Sequence, residues 1–277
     1  MGAKCGKESD VLESKNHKYF KDRFFSYDEL EDGLRKAGLE SSNLIIGIDF
    51  TRSNETNGGY PYFPGDANLH SARVQPNLYQ QVINIMGKTL APFDDDNLIP
   101  AYGFGDATTT DRAVFPFLVD STTGYEAPCQ TFNHVLQIYN DILGNIANGQ
   151  IKMSGPTSFS AIIKKAIEIV KITKSYHILL IICDGQVSNK QKDIAAIVEA
   201  SNHPLSIVAV GVGKGPWEVM EEFDDEIPKR KFDNFQFVNY YKTLKESENS
   251  EYEFAKSALM EIPDQYNYIK KHILPYY

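Results

Sequence analysis

Asp49-Phe50-Thr51-Arg52-Ser53 sets one carboxylate and two hydroxyls directly after the apolar run Leu44-Ile45-Ile46-Gly47-Ile48. A short, branched, uninterrupted apolar run reads as a buried parallel strand, and open α/β sheets bind ligands beyond the carboxyl ends of such strands. A second apolar run, His177 to Cys183, ends in Asp184-Gly185, and a Gly155-Pro156-Thr157-Ser158 turn opens a helix between the two. Three loops can therefore converge on one oxygen-rich point. Carboxylates, hydroxyls and water suit a hard divalent cation such as Mg²⁺, which prefers octahedral oxygen ligation and keeps several waters. Taken singly, each hydroxyl also fits a local role, Thr157 and Ser158 as helix caps and Thr51 and Ser53 as turn residues.

The elements that must position these groups alternate. The first twenty-five residues mix both charges and read as a flexible arm, and residues 26–277 as the folded domain. Ser26-Tyr27-Asp28-Glu29 has capping-box form before Leu30, Leu34 and Ala37 at helical spacing. Helical patterns follow over 77–90, 132–146, 159–172 and 190–200, interleaved with strands over 98–104, 177–183 and 205–212. A short strand over 113–118 is the expected antiparallel edge, and 252–272 the closing helix. This alternation predicts a doubly wound, mostly parallel sheet flanked by helices.

Asp-x-Thr-x-Ser after the first strand, a Thr on a later turn and an Asp-Gly after a following main strand resemble the metal-ion-dependent adhesion site of von Willebrand factor A domains. Three segments narrow the match to the copine branch: Ile48-Asp49-Phe50-Thr51-Arg52-Ser53-Asn54, Tyr102-Gly103-Phe104-Gly105-Asp106 and Gly155-Pro156-Thr157-Ser158-Phe159-Ser160. Phe93-Asp94-Asp95-Asp96-Asn97-Leu98-Ile99-Pro100 and Phe232-Asp233-Asn234-Phe235-Gln236-Phe237-Val238 are similar to the copine-like domain of plant RING-type ubiquitin ligases. The resemblance runs from about Ser26 to the C-terminus. It implies that the hydroxyls of Thr51, Ser53 and Thr157 approach Mg²⁺, with Mn²⁺ or Ca²⁺ as substitutes. Asp49 and Asp184 would bind the ion directly or through water. A partner protein's Asp or Glu would replace one water, giving adhesion rather than bond breaking.

Enzymes of the haloacid dehalogenase type also end their first strand in Asp, but need a second acid two residues later. Thr51 stands there and cannot transfer protons near neutral pH, so a non-catalytic interaction domain is expected, with a Mg²⁺-dependent phosphatase as the weaker reading. Three scattered cysteines, Cys5, Cys129 and Cys183, offer neither a disulfide framework nor a C-x-x-C pair for a RING zinc site. Ligase activity is therefore not expected of these residues, and a ubiquitin-pathway adaptor is the alternative. The two C2 domains of copines have no room before Ser26, so calcium-dependent membrane recruitment is not carried over.

A formal charge of -9 argues against nucleic acid. No bilayer-length apolar stretch or secretory signal precedes the domain, so an intracellular location is expected, cytoplasmic with membrane-associated or nuclear options. Gly2 and Cys5 form an incomplete acylation pattern for peripheral membrane contact, because Gly6 stands where Ser or Thr is preferred. The long Gly- and Pro-rich connection after the motif carries Tyr60, Tyr62, Phe63 and His70, the candidate partner contacts. Aromatics packed on their own domain, and a solvated histidine, are the competing readings there.

Overall fold

The computed structural model describes residues 26–58, 67–73, 75–94, 96–185, 187–246 and 250–277. The 1–25 arm with Gly2 and Cys5, and the loop aromatics Tyr60, Tyr62 and Phe63, lie outside the described residues. In chain order the first elements are α1 (Tyr27–Lys36), β1 (Asn43–Asp49), α2 (Leu78–Leu90), β2 (Ala101–Phe104), β3 (Phe115–Pro116), β4 (Leu118–Val119), β5 (Glu126–Ala127) and α3 (Phe132–Ala147). Then come α4 (Ser160–Thr173), β6 (His177–Cys183), α5 (Lys190–Ala200), β7 (Leu205–Gly211), α6 (Glu218–Asp225), β8 (Phe235–Asn239), α7 (Tyr240–Glu246), α8 (Ser250–Leu259) and α9 (Ile262–His272).

Strands that are apolar on both faces must be covered on both. β1, β6 and β7 meet that demand at the middle of a sheet ordered β3-β2-β1-β6-β7-β8. All neighbours pair in parallel except β3, which runs antiparallel to β2 at the edge through Tyr102↔Pro116 and Gly103↔Phe115. Leu44, Ile46 and Ile48 of β1 face the same core as Ile178, Leu180 and Ile182 of β6, closed by Leu30, Ile83, Val135, Phe254 and Ile269 from α1, α2, α3, α8 and α9. Ile45, Leu179, Ile181 and Ile207 face the other core, against Ile162 of α4, Ile197 of α5 and Phe223 of α6. Each such side chain contributes about 1.5–3 kcal/mol by leaving water. Gly47 lets α4 approach β1 closely, since a Cβ there would stand 2.7 Å from Ile162 Cγ1.

The doubly wound, mostly parallel sheet with one antiparallel edge strand is thus the observed architecture. Local capping follows the sequence in places: Ser26 Oγ accepts the Glu29 N–H at 3.2 Å, and Asn77 and Gln80 form a reciprocal box at the start of α2.

Other elements differ from expectation. The strand expected over 98–104 shortens to β2, because Ile99 exchanges both backbone hydrogen bonds with Cys129 instead. The 113–118 edge contributes β3 alone, and the chain then leaves the sheet to form the β4–β5 ribbon. The closing helix is two helices, α8 and α9, and Pro263 sits in the first turn of α9, where a missing N–H costs little. Among the described residues no helix is long and apolar enough to cross a membrane.

Candidate metal centre

Parallel pairing of β1 with β6 in the register Ile48↔Ile182 brings both strands to their carboxyl ends side by side. Asp49 and Asp184 therefore emerge at one edge, 0 % and 1 % exposed. Asp49 Oδ1 accepts the Thr51 N–H at 2.8 Å, which turns the chain from extended strand into the 3-10 turn Arg52–Glu55. Ser53 Oγ donates to Asp184 Oδ1 at 3.0 Å. Its single proton being spent, the Thr51 hydroxyl, 3.0 Å away, must donate to Ser53. A continuous chain of polar atoms thus runs Asp49, Thr51, Ser53, Asp184.

Asp49 Oδ2 is buried and receives no hydrogen bond. Burial pushes the Asp49 carboxyl well above the ordinary range, and repulsion from Asp184 pushes it the same way. Asp184 is raised by burial too, while hydrogen bonds from Asn57 and Ser53 pull it back. Among the described residues neither carboxylate makes an ion pair. Two adjacent buried acids held by neutral donors, one with a free oxygen, form a donor set that fits a hard divalent cation. Among the described residues no group of three or more His, Cys, Asp or Glu side chains is placed to hold a metal, so hydroxyl and water oxygens would have to complete the ligand set.

Thr157 reaches this edge through backbone links, and it is buried. Ser188 N–H, just after Asp184, donates to Thr157 O at 2.9 Å, and Arg52 N–H donates to Ser154 O at 2.7 Å. Thr157 does not cap the helix that follows: α4 begins at Ser160 with Phe159 in the N-cap position and no side-chain cap from that residue. Asp193 of α5 supplies the acceptor instead, its Oδ1 taking the Ser160 N–H and the Ser158 hydroxyl, both at 2.7 Å.

His70 corrects the expectation of a solvated loop residue available to a partner. It is buried between the rings of Phe50 and Tyr79, with centroids 4.7 Å and 4.2 Å away. Nε2–H donates to the Asp49 carbonyl at 2.8 Å, and Nδ1 accepts the Tyr139 hydroxyl at 2.8 Å. Burial lowers its pKa to about 4, so the ring stays neutral. Tyr79 OH donates to the same carbonyl at 3.3 Å and to Asn54 Oδ1 at 2.7 Å. This network packs the strand end from behind.

Two further groups shape the edge without having been singled out for it. Asn57 Nδ2 donates to the Asp184 carbonyl, to Asp184 Oδ2 at 3.2 Å and to Gly215 O at 3.3 Å, and Asn57 Oδ1 accepts the Lys214 N–H at 3.2 Å. It joins three loops at once. Gly105, at φ +84°, lies so close that a Cβ would collide with the Thr51 methyl group. The neighbouring Asp106 carboxylate is occupied by the N–H and hydroxyl groups of Thr108 and Thr109, which outweigh burial and hold it below its ordinary pKa. It organises a turn. The sequence offers no signal for Asn57 and none for the buried role of His70, because their partners lie about twenty to more than a hundred residues away.

The chain is 50% identical over 261 residues to the E3 ubiquitin-protein ligase RGLG5 of Arabidopsis thaliana, covering 88% of this chain and 58% of the relative. It is 48% identical over 249 residues to Copine family protein 2 of Caenorhabditis elegans, covering 90% of this chain and 3% of that protein. The chain thus spans little more than half the length of the plant ligases it matches. A distant likeness to the manganese-loaded TRAP protein of Plasmodium vivax has a TM-score of 0.45 at 11% identity, over 74% of this chain and 71% of that one. The family profile described as Copine matches residues 68–275, and with these relatives it establishes that the chain belongs to the copine family.

Proposed function

We propose that the chain is a protein-interaction domain that binds Mg²⁺ at the Asp49–Asp184 edge and recognises a carboxylate of a partner protein there. The observation that carries this reading is the buried Asp49–Asp184 pair, to which, among the described residues, no hydrogen-bond donor at Asp49 Oδ2 and no basic side chain is paired. When bound, the ion supplies positive charge and an exchangeable position for an Asp or Glu of the partner. Asp49 offers Oδ2, and the Thr51 and Ser53 hydroxyls have lone pairs to turn outward. Ser53 and Asn57 hold the Asp184 carboxylate from its two oxygens. His70, Tyr79 and Asn54 fix the Asp49 peptide from behind. Mn²⁺ and Ca²⁺ are the expected substitutes.

Nothing in this assembly moves a proton: Thr51 stands where a phosphatase of similar fold would need its acid, and its hydroxyl is engaged with Ser53. Pulldowns with wild type and Thr157→Ala, each with Mg²⁺ and with EDTA, test the reading. A partner retained by wild type in Mg²⁺ and lost in the other three conditions supports it, and one retained in all four refutes it.

A second reading, adaptor in the ubiquitin pathway, is favoured by the relatives named E3 ubiquitin-protein ligases. These 277 residues contain no C-x-x-C pair, so a RING zinc site would have to come from elsewhere. Recovery of a RING-containing protein in the Mg²⁺-dependent fraction would favour it.

A further inference from the structure

We propose that the first turn of α5 sets where Thr157 stands relative to the Asp49–Asp184 pair, with Asp193 as its positioning residue. The proposal rests on the metal reading above and adds to it a residue outside the ligand set. The neighbourhood of Thr157 is tied from α5 as well as locally: Ser158 Oγ accepts the Ser160 N–H at 3.3 Å, and Asp193 Oδ1 takes the same N–H at 2.7 Å. Asp193 is fully buried, yet it lies at the start of a surface-facing helix whose neighbours Lys190 and Lys192 are partly exposed. Its Oδ1 collects the Ser158 hydroxyl and the Ser160 N–H, the two groups nearest Thr157 that could otherwise let the turn swing.

A helix start can be capped by its own Ser, Thr, Asn or Asp, which avoids burying a charged group. α4 has such a local acceptor in Ser158 Oγ, 3.3 Å from the Ser160 N–H, and yet a buried carboxylate from another helix takes the same N–H at the shorter 2.7 Å. The same turn of α5 makes a second tie. Lys192 Nζ donates to Asp111 O at 2.7 Å and to Asp111 Oδ2 at 2.9 Å, holding the loop that begins at Gly105 and packs against Thr51. Asp184 itself lies a few residues before α5, and Ser188 between them binds the Thr157 carbonyl. The Thr157 turn and the loop that backs Thr51 are thus both tied to this one turn, which follows Asp184 in the chain. Removing the Asp193 carboxylate alone frees the Ser158 and Ser160 groups beside Thr157 while keeping the Lys192 tie and the Ser53–Asp184 hydrogen bond.

The test is Mn²⁺ binding to the full chain by titration calorimetry and by loss of the free-ion electron paramagnetic resonance signal. Wild type, Asp193→Ala, Asp193→Asn and Ser158→Ala are compared, each with its metal-free melting temperature. Residues that orient metal ligands typically change affinity about 10–100-fold, and that weakening is expected for Asp193→Ala. Asp193→Asn keeps an acceptor oxygen and should recover most of the affinity, and Ser158→Ala should fall between. Should Asp193→Ala fail to fold, the Ser158→Ala and Asp193→Asn affinities decide alone. Variants that melt earlier but bind Mn²⁺ as wild type does would make Asp193 a structural brace and overturn the inference. Wild type that takes up no Mn²⁺ would instead overturn the metal reading beneath it, so the two failures are told apart by the wild-type arm.

Discussion

Asp224 and Glu261 form, with Asp233, an acidic cluster beside the C-terminal helices, and Asp49 and Asp184 form another at the sheet edge. In the first, burial raises Asp224 to about 7 and Glu261 to about 8, with Asp233 pressing on both. A guanidinium answers them: Arg230, its side chain 8 % exposed, lies 2.6 Å from Asp233 Oδ1 and donates to the Phe223 and Asp224 carbonyls at 3.3 and 3.0 Å. At the sheet edge the donors are a backbone N–H, a serine hydroxyl and an asparagine amide, all neutral. One cluster carries its countercharge in the chain; the other, among the described residues, has only dipoles and one carboxylate oxygen that no donor reaches. Buried acids with no built-in cation are either neutralised by protons or reserved for an ion from outside.

The largest expected effect that sharpens this contrast is on pH. The folded chain holds the Asp224 and Glu261 protons to higher pH than the unfolded chain, whose carboxyls titrate near 4. Their contribution is therefore full below about pH 4 and is lost as pH rises through about 7 to 8. Melting of the metal-free protein should fall across that window, and Glu261→Gln should flatten the upper part by an amount on the order of a few kcal/mol. Asp49 and Asp184 add to the slope with the same sign, and saturating Mg²⁺ should remove their share alone.

Arg230→Met breaks the first cluster. It leaves two carbonyls and Asp233 without their donor and should cost about 2 kcal/mol in urea unfolding, since Asp233 is half exposed and part of the pairing is screened. The Mg²⁺ response should be unchanged. Asp49→Asn acts in the opposite direction, replacing two adjacent acids by an acid and an amide donor. The metal-free protein should melt higher, because burial and the neighbouring Asp184 both disfavour the Asp49 charge, while losing its Mg²⁺ response. Smallest is Asn57→Ala, which frees one oxygen of Asp184 and unties the Asp184 and Gly215 loops; it should weaken Mg²⁺ binding about tenfold and cost about 1 kcal/mol of metal-free stability.

Both clusters are acidic in the sequence, but only one has the spacing of a candidate metal site. Asp49, Thr51 and Ser53 are close in the chain, and an apolar run before each aspartate fixed which edge they share. The strands over 177–183 and the helix over 190–200 stand where their periodicity places them. β8 was missed because Gln236 and Asn239 interrupt five residues that are otherwise apolar, although Gln236 is buried. α6 was missed because eight residues with five acids show little apolar spacing. Packing between distant segments hid the rest. His70 reads as a loop histidine until Phe50, Tyr79 and Tyr139 close around it, and Asp193 reads as a first-turn acid until α4 is set against it.

The most direct test of the central claim is the melting of metal-free wild type and Asp49→Ala side by side as Mg²⁺ is titrated at neutral pH. Wild type should be stabilised by RT ln(1 + [Mg²⁺]/Kd), about 2.7 kcal/mol at a hundredfold excess over Kd, with EDTA reversing the shift and Asp49→Ala remaining flat. A wild type indifferent to Mg²⁺, or an Asp49→Ala variant with the full response, would contradict it.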